Sequence, residues 1–210
     1  MHRIYLHPLP VRVWHWVNAL GFLLLIATGV RIRYGELLGL MSFESAVRFH
    51  NWIGFALVAN YFVWLVFHLF TDKISIYHPE LDARKYFREA FRQMRYYSYG
   101  IFRGEPNPYH ASPYAKFNPL QKVMYQVIML MVVPIQFGTG IILWDLTRFA
   151  TWVEALGGVR VVSTIHVLCF IFFVFFILVH AYLGALGRTP GQHYKAMFTG
   201  YEEEPEEGEA

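Results

Sequence analysis

Four stretches of the chain are almost continuously apolar, and more polar, charged segments separate them. They lie at about residues 13–30, 51–70, 123–144 and 161–187. A helix needs roughly 20 apolar residues to cross the hydrocarbon core of a bilayer, which is about 30 Å thick. Lipid offers no partner for exposed backbone groups, so spanning segments of this kind fold as helices. The pattern predicts an all-α integral membrane protein, a four-helix bundle with transmembrane helices at about 11–33, 47–70, 119–146 and 159–187.

The polar segments outside these helices differ in character. In the long loop at 71–118, apolar and basic residues recur with helical spacing between 84 and 97. This spacing predicts an amphipathic helix that lies on the membrane surface, with a helix that docks a partner protein as the alternative. The last segment, 191–210, carries six glutamates near its end, and we expect it to be a disordered acidic tail.

The charge distribution indicates an orientation. The chain is 56% hydrophobic and 16% charged, whereas soluble domains average about 25% charged residues. Eight lysines and arginines lie in 71–121, and the two opposite connections hold three and two. Positive residues favour the cytoplasmic side, so we expect this loop and both termini there, in a multi-pass membrane protein. The basic side should meet anionic membrane lipid, and we expect no nucleic-acid partner.

Five of the ten histidines lie in or at the ends of the apolar segments, where ionisable residues are costly and by default mark function. His166 and His180 are 14 residues apart, which puts them near one helix face and about 21 Å apart along its axis. Two imidazoles so placed suit two haems, one near each membrane surface. The chain has no C-x-x-C-H motif, so any haem would be held non-covalently.

Each haem needs a second ligand at the same depth on another helix. His50 matches His166 at the outer ends of the second and fourth helices. At the inner end, both His15 and His68 are candidates to pair with His180. His50 and His68 are about 27 Å apart along the second helix, whereas His166 and His180 are about 21 Å apart along the fourth. Because these spacings do not match, His15 is favoured over His68 as the partner of His180. His68 remains open as a ligand, a quinone-pocket or proton-transfer residue, or a structural histidine.

Several short motifs surround these residues in a characteristic order. They are R-x-x-H-W at 12–16, Thr-Gly at 28–29, His50 followed by Gly54, K-F-N-P-L-Q-K at 116–122, T-G-I-I-L-W at 139–144 and H-A-Y at 180–182. Together they resemble the cytochrome b subunits of bacterial nickel–iron hydrogenases, the gamma subunits of formate dehydrogenases and thiosulfate-reductase-type cytochromes b. The similarity covers all four predicted helices, about residues 9–190, and implies a multi-pass protein of the bacterial inner membrane.

The resemblance implies two haem b groups with bis-histidine ligation and residue-specific assignments. His15 and His180 would hold the inner haem, and His50 and His166 the outer one. It also implies a site for exchangeable quinone or menaquinone beside the inner haem, involving Asn118. An alternative role for Asn118 is to cap the third helix.

The resemblance further implies partners. Arg12, one turn before His15, is a candidate partner for a haem propionate, or an ordinary positive-inside arginine. The chain carries no molybdopterin, iron–sulfur or nickel motif. Catalysis would belong to the catalytic and iron–sulfur or multihaem subunits of a respiratory oxidoreductase outside the cytoplasm, with electrons passing between it and the quinone pool. A free-standing dihaem quinone oxidoreductase, such as one that oxidises superoxide, and a haem-free structural anchor are the alternatives.

Overall fold

The structure, a computed structural model, describes residues 2–35, 41–71, 82–109, 117–186 and 191–204. Two parts of the predicted loop (72–81 and 110–116), residue 187 of the predicted fourth helix and residues 205–210 of the predicted tail lie outside the described residues. The helices are α1 (Leu9–Tyr34), α2 (Phe43–Leu69), α3 (Ala83–Ser98), α4 (Pro119–Val127), α5 (Val133–Trp144), α6 (Ala150–Ala155), α7 (Val159–Ala185) and α8 (Gln192–Thr199). Two short strands, β1 (His2–Tyr5) and β2 (Tyr201–Glu204), pair in antiparallel fashion.

Four helical stretches are long and apolar enough to cross a membrane. They are α1, α2, the continuous stretch Pro119–Trp144 and α7, each of 26 or 27 residues. The prediction of an all-α membrane protein with four spanning helices is confirmed. The largest difference in bounds is at α2, which begins four residues before the predicted 47. Ser42 explains the early start, because its hydroxyl accepts a hydrogen bond from the Ser45 amide (3.2 Å) and satisfies an N-terminal donor.

The third spanning stretch contains an irregular turn. One turn of π-helix, Ile128–Val132, joins α4 to α5. Pro134 follows directly, in the first turn of α5. Proline has no backbone N–H, and its ring clashes with the carbonyl four residues earlier, so a regular α-helix cannot continue through it. The wider turn accommodates this conflict without ending the helix.

Most of the four spanning stretches fall in one compact unit, residues 10–67 and 132–183. Helices α1 and α2 pack closely because Gly21 has no side chain, and a Cβ there would lie 2.7 Å from a methyl carbon of the buried Leu57. Ring contacts join further helix pairs: Phe22–Phe173 between α1 and α7 at 4.8 Å and Phe55–Trp144 between α2 and α5 at 5.0 Å.

The outward faces of these helices carry large exposed apolar side chains. On α7, Leu168, Phe175 and Leu178 are each about 60% exposed (59%, 66% and 63%). Such a surface is unfavourable in water and is the surface that lipid covers.

The second unit contains residues 1–9, 68–131 and 184–210. Its main helix, α3, coincides with the amphipathic helix expected at 84–97. Asp82 caps it, and the Asp82 carboxylate accepts hydrogen bonds from two backbone amides in the first turn, at 2.9 and 3.2 Å. Phe87, Phe91 and Met94 are exposed along one face, whereas Ala90 on a neighbouring face is buried.

The expected disordered tail at 191–210 is wrong for residues 192–204. There the chain forms α8 and β2, and β2 pairs with β1 so that Arg3 stands opposite Glu203 in the register. His193 contacts the Glu202 carboxylate at 2.9 Å, and Ala196 is almost fully buried. The glutamate content indicated disorder, but backbone pairing with β1 supplies the order that composition cannot indicate.

Candidate functional site

The four histidines proposed as haem ligands form two facing pairs. His15 on α1 and His180 on α7 have ring centroids 6.1 Å apart, with planes at 46°. His50 on α2 and His166 on α7 have centroids 6.3 Å apart, with planes at 66°. Helix α7 therefore contributes one histidine to each pair.

These separations fit one metal ion between each pair of imidazoles. A metal–imidazole nitrogen bond is about 2.0 Å and the ring centroid lies about 1 Å beyond that nitrogen, so opposite ligands have centroids about 6 Å apart. Two directly hydrogen-bonded imidazoles would have centroids only about 5 Å apart. Both pairs match the metal-bridged distance, so the residues fit the iron of a haem b.

Hydroxyl and amide groups surround the His50–His166 pair. Thr28 Oγ1 lies 2.9 Å from His50 Nδ1, and Thr139 Oγ1 lies 3.0 Å from His166 Nδ1. The Gln136 amide nitrogen lies 3.1 Å from His166 Nε2. The amide oxygen of Gln136 is buried and has no hydrogen-bond partner among the described residues. The threonines thus lie at Nδ1 of the two rings, and Gln136 lies at Nε2 of His166.

Glycines next to these threonines allow close approach to the same two rings. A Cβ at Gly140 would lie 3.2 Å from His166 Cε1, and one at Gly29 would lie 3.5 Å from His50 Cε1. Each threonine is followed directly by one of these glycines. A Thr-Gly pair therefore contacts each histidine of this pair.

The His15–His180 pair has aromatic neighbours. His15 meets the edge of Trp16 at 5.2 Å and 88°, and His180 stacks on Phe176 at 5.4 Å and 25°. Arg12 lies three residues before His15 on α1 and is half-buried.

The two pairs lie at different levels of the bundle. His166 and His180 are 14 residues apart on α7, or about 21 Å along the axis. Phe173 lies midway between them, is 3% exposed and packs against Phe22. The interval between the levels is therefore filled with apolar side chains.

His15 contacts His180, with ring centroids 6.1 Å apart. His68 belongs to the second unit, where its side chain is buried at 4% exposure.

Asn118 lies in the second unit, at the N-terminus of α4. Its side-chain oxygen accepts a hydrogen bond from the Gln121 amide (2.9 Å), and the Gln121 side chain accepts one from the Asn118 amide (3.0 Å). Its Nδ2 donates to the Tyr97 hydroxyl at 3.1 Å, and the side chain is almost fully buried. Asn118 is therefore the N-cap of α4, the alternative role that its sequence position suggested.

A cavity of about 180 Å³ lies beside Asn118 in the same unit. Its lining includes Tyr86, Tyr109, Phe117 and Lys122. Burial raises the pKa of Tyr109, and the Glu89 carboxylate raises it further, so the phenol remains a hydrogen-bond donor at neutral pH.

Sequence reasoning gave no role to three residues of the site. Thr28 and Thr139 entered only as parts of motifs, and Gln136 was not singled out. The available signal was the repeated Thr-Gly dipeptide, which occurs on α1 and again on α5.

Comparison with known proteins identifies similar chains. Residues 6–200 match the family model described as prokaryotic cytochrome b561. The putative cytochrome YdhU of Escherichia coli is 35% identical over 95% of this chain and 74% of its own length. A probable Ni/Fe-hydrogenase B-type cytochrome subunit of Cupriavidus necator is 28% identical, over 94% and 86%. The putative protein-methionine-sulfoxide reductase subunit YedZ1 of Azospira oryzae is 24% identical, over 86% and 90%.

Proposed function

The chain belongs to the prokaryotic cytochrome b561 family, and from that premise we propose that it is a dihaem subunit carrying electrons across the bacterial inner membrane. Membership makes it a multi-pass bacterial membrane cytochrome b that binds b-type haem and takes part in electron transfer. The observation that carries the dihaem proposal is the presence of two facing imidazole pairs with centroids 6.1 and 6.3 Å apart.

The ligand assignment follows these pairs. His15 and His180 hold the inner haem, and His50 and His166 hold the outer haem. Bound haem supplies an iron that gains and loses one electron. The histidines of α7 would hold the two groups at levels that are about 21 Å apart along this helix. The Phe22–Phe173 contact packs apolar rings between these levels.

The haem that His50 and His166 would hold is the one from which electrons would pass to or from a partner protein. Relatives of this chain are named as subunits of a hydrogenase and of a protein-methionine-sulfoxide reductase. This naming supports a catalytic partner protein. We place that partner, with its iron–sulfur or multihaem subunits, on the extracytoplasmic side. The middle loop and both termini face the cytoplasm, across the membrane from this partner. The basic residues of α3 support this orientation.

Quinone or menaquinone reacts at the inner side, near Asn118. An amide nitrogen has two donor hydrogens, and Asn118 directs one of them to the Tyr97 hydroxyl. The cavity beside Asn118 is lined by its two chain neighbours, Phe117 and Pro119, and by Tyr109, whose phenol is a donor for a quinone carbonyl there. Protons for quinone reduction come from water, which favours a site at the membrane boundary.

Helix α3 lies on the cytoplasmic membrane surface. Its exposed Phe87, Phe91 and Met94 form an apolar face that the acyl chains cover. The neighbouring face carries arginines 84, 88, 92 and 95, which attract anionic lipid headgroups.

Two measurements test the proposed function. The tagged full chain, isolated from its native membrane in mild detergent, should retain a metal-cofactor subunit at near-equal stoichiometry. A soluble quinol analogue should reduce both haems of the purified protein. A partner-free chain that oxidises superoxide would favour the free-standing dihaem oxidoreductase instead, and a chain without haem absorbance would leave only a structural anchor.

A further inference from the structure

Thr28 and Thr139, beside the outer histidines, each donate the hydroxyl hydrogen to a backbone carbonyl of their own helix. Thr28 Oγ1 donates to the Leu24 carbonyl at 2.8 Å, and Thr139 Oγ1 donates to the Ile135 carbonyl at 2.8 Å. A hydroxyl has one donor hydrogen and two acceptor lone pairs. Each Oγ1 can therefore only accept a hydrogen bond from the histidine Nδ1 that faces it.

This geometry favours the tautomer of both imidazoles that carries its hydrogen on Nδ1. If Nδ1 carries the hydrogen that the threonine accepts, Nε2 presents a lone pair. On His166 an independent contact agrees, because the Gln136 amide nitrogen, a donor, lies 3.1 Å from Nε2. The lone pair that points away from the threonine is the one that an iron ion needs.

The same arrangement occurs twice, on different helices. Thr28 of α1 faces His50 of α2, and Thr139 of α5 faces His166 of α7. In both cases the following glycine approaches the ring, Gly29 in the first and Gly140 in the second. At two separate helix crossings, a Thr-Gly pair therefore contacts one histidine of the same histidine pair.

We infer that Thr28 and Thr139 are positioning residues for the outer haem, which hold both imidazoles with Nε2 toward the iron and lower that haem's reduction potential. The inference rests on the proposed ligation of the outer haem by His50 and His166. A hydrogen bond from Nδ1 makes an imidazole a more basic ligand. A more basic ligand stabilises ferric over ferrous iron, so the potential falls.

Both threonines lie at the outer pair, so their contribution acts on the outer haem. A lower potential there favours electron movement from the outer haem to the inner one, from partner to quinone.

Four single variants of the full-length, haem-loaded protein test this inference. Thr28→Val and Thr139→Val each remove one acceptor at nearly constant volume, and Thr139→Ser keeps the hydroxyl. Thr164→Val is the matched control, because Thr164 is exposed on α7 and, among the described residues, its hydroxyl donates to the Arg160 carbonyl of its own helix (2.8 Å). The readouts are haem content, the two midpoint potentials and the ferric electron paramagnetic resonance spectrum.

Both valine variants should raise the potential of one and the same haem and leave the other unchanged. Thr139→Ser and Thr164→Val should match the unmodified protein. If a valine variant loses one haem, the serine variant should keep it. Unchanged potentials in both valine variants, shifts on different haems, or a serine variant that behaves like valine would overturn the inference. Failure of the proposed ligation is distinguishable, since the unmodified protein would then lack a second haem.

Discussion

Gly140→Ala should lower the affinity of the protein for the proposed outer haem and leave its affinity for the inner haem unchanged. The added Cβ would lie 3.2 Å from His166 Cε1, whereas ordinary van der Waals contacts at such positions are 3.4–4 Å. The ring must therefore move by a few tenths of an ångström. Without iron it can do so, but ligation to iron fixes the ring, so the strain falls on the haem-bound state.

The size of the effect follows from two opposing contributions. Overpacking of a well-packed site costs about 1–3 kcal/mol. Alanine gains up to about 1 kcal/mol over glycine in helix propensity, but it does so with and without haem, so this gain does not change haem affinity. A cost of about 1–3 kcal/mol in the haem-bound state corresponds to roughly a 5- to 150-fold loss of affinity.

The assay is haem retention by purified protein during titration with apomyoglobin, a haem acceptor. Gly138→Ala is the control, since no atom of the described residues lies within 4 Å of a Cβ at this position on the same helix. Gly140→Ala should release one haem faster while Gly138→Ala matches the unmodified protein. Equal haem retention in the two alanine variants would refute the reasoning about this contact.

Three further outcomes follow from the structure. Asn118→Ala should lower the free energy of unfolding by about 1 kcal/mol through loss of the cap, which thermal melting measures. Asn118→Asp should keep the cap but slow the reduction of haem by a quinol analogue. Unchanged reduction kinetics in Asn118→Asp would remove Asn118 from the quinone site. His15→Ala should lose one haem by pyridine haemochrome assay while His68→Ala keeps both, and the reverse would show that the ligand is misassigned. Gly21→Ala should cost about 1–3 kcal/mol because its Cβ meets Leu57 at 2.7 Å; an unchanged melting temperature would contradict this packing argument.

The spanning helices were predictable because length and hydropathy alone determine them. All four were expected within four residues of their observed ends, since lipid forces continuous apolar segments into helices. The π-helical turn at 128–132 was not predicted, although Pro134 is incompatible with a regular α-helix at this point. The order in residues 192–204 was missed because it depends on strand pairing with His2–Tyr5, a contact distant in sequence.

The site was predictable to the extent that helical periodicity fixes it. Spacing placed His166 and His180 on one face, and depth matching favoured His50 and His15 as their partners. The threonines could not be assigned in this way, because a hydroxyl's role depends on which ring faces it across a helix crossing. The capping role of Asn118 was recognisable beforehand from its position just before the apolar stretch, and the structure adds the Tyr97 contact.

The number of haems per chain tests the central claim most directly. Pyridine haemochrome quantification of the purified full-length protein, set against amino-acid analysis of the same sample, measures it. Two facing histidine pairs predict two b-type haems per chain, falling to one in His166→Ala and one in His180→Ala. A value of one or none in the unmodified protein would contradict the dihaem account.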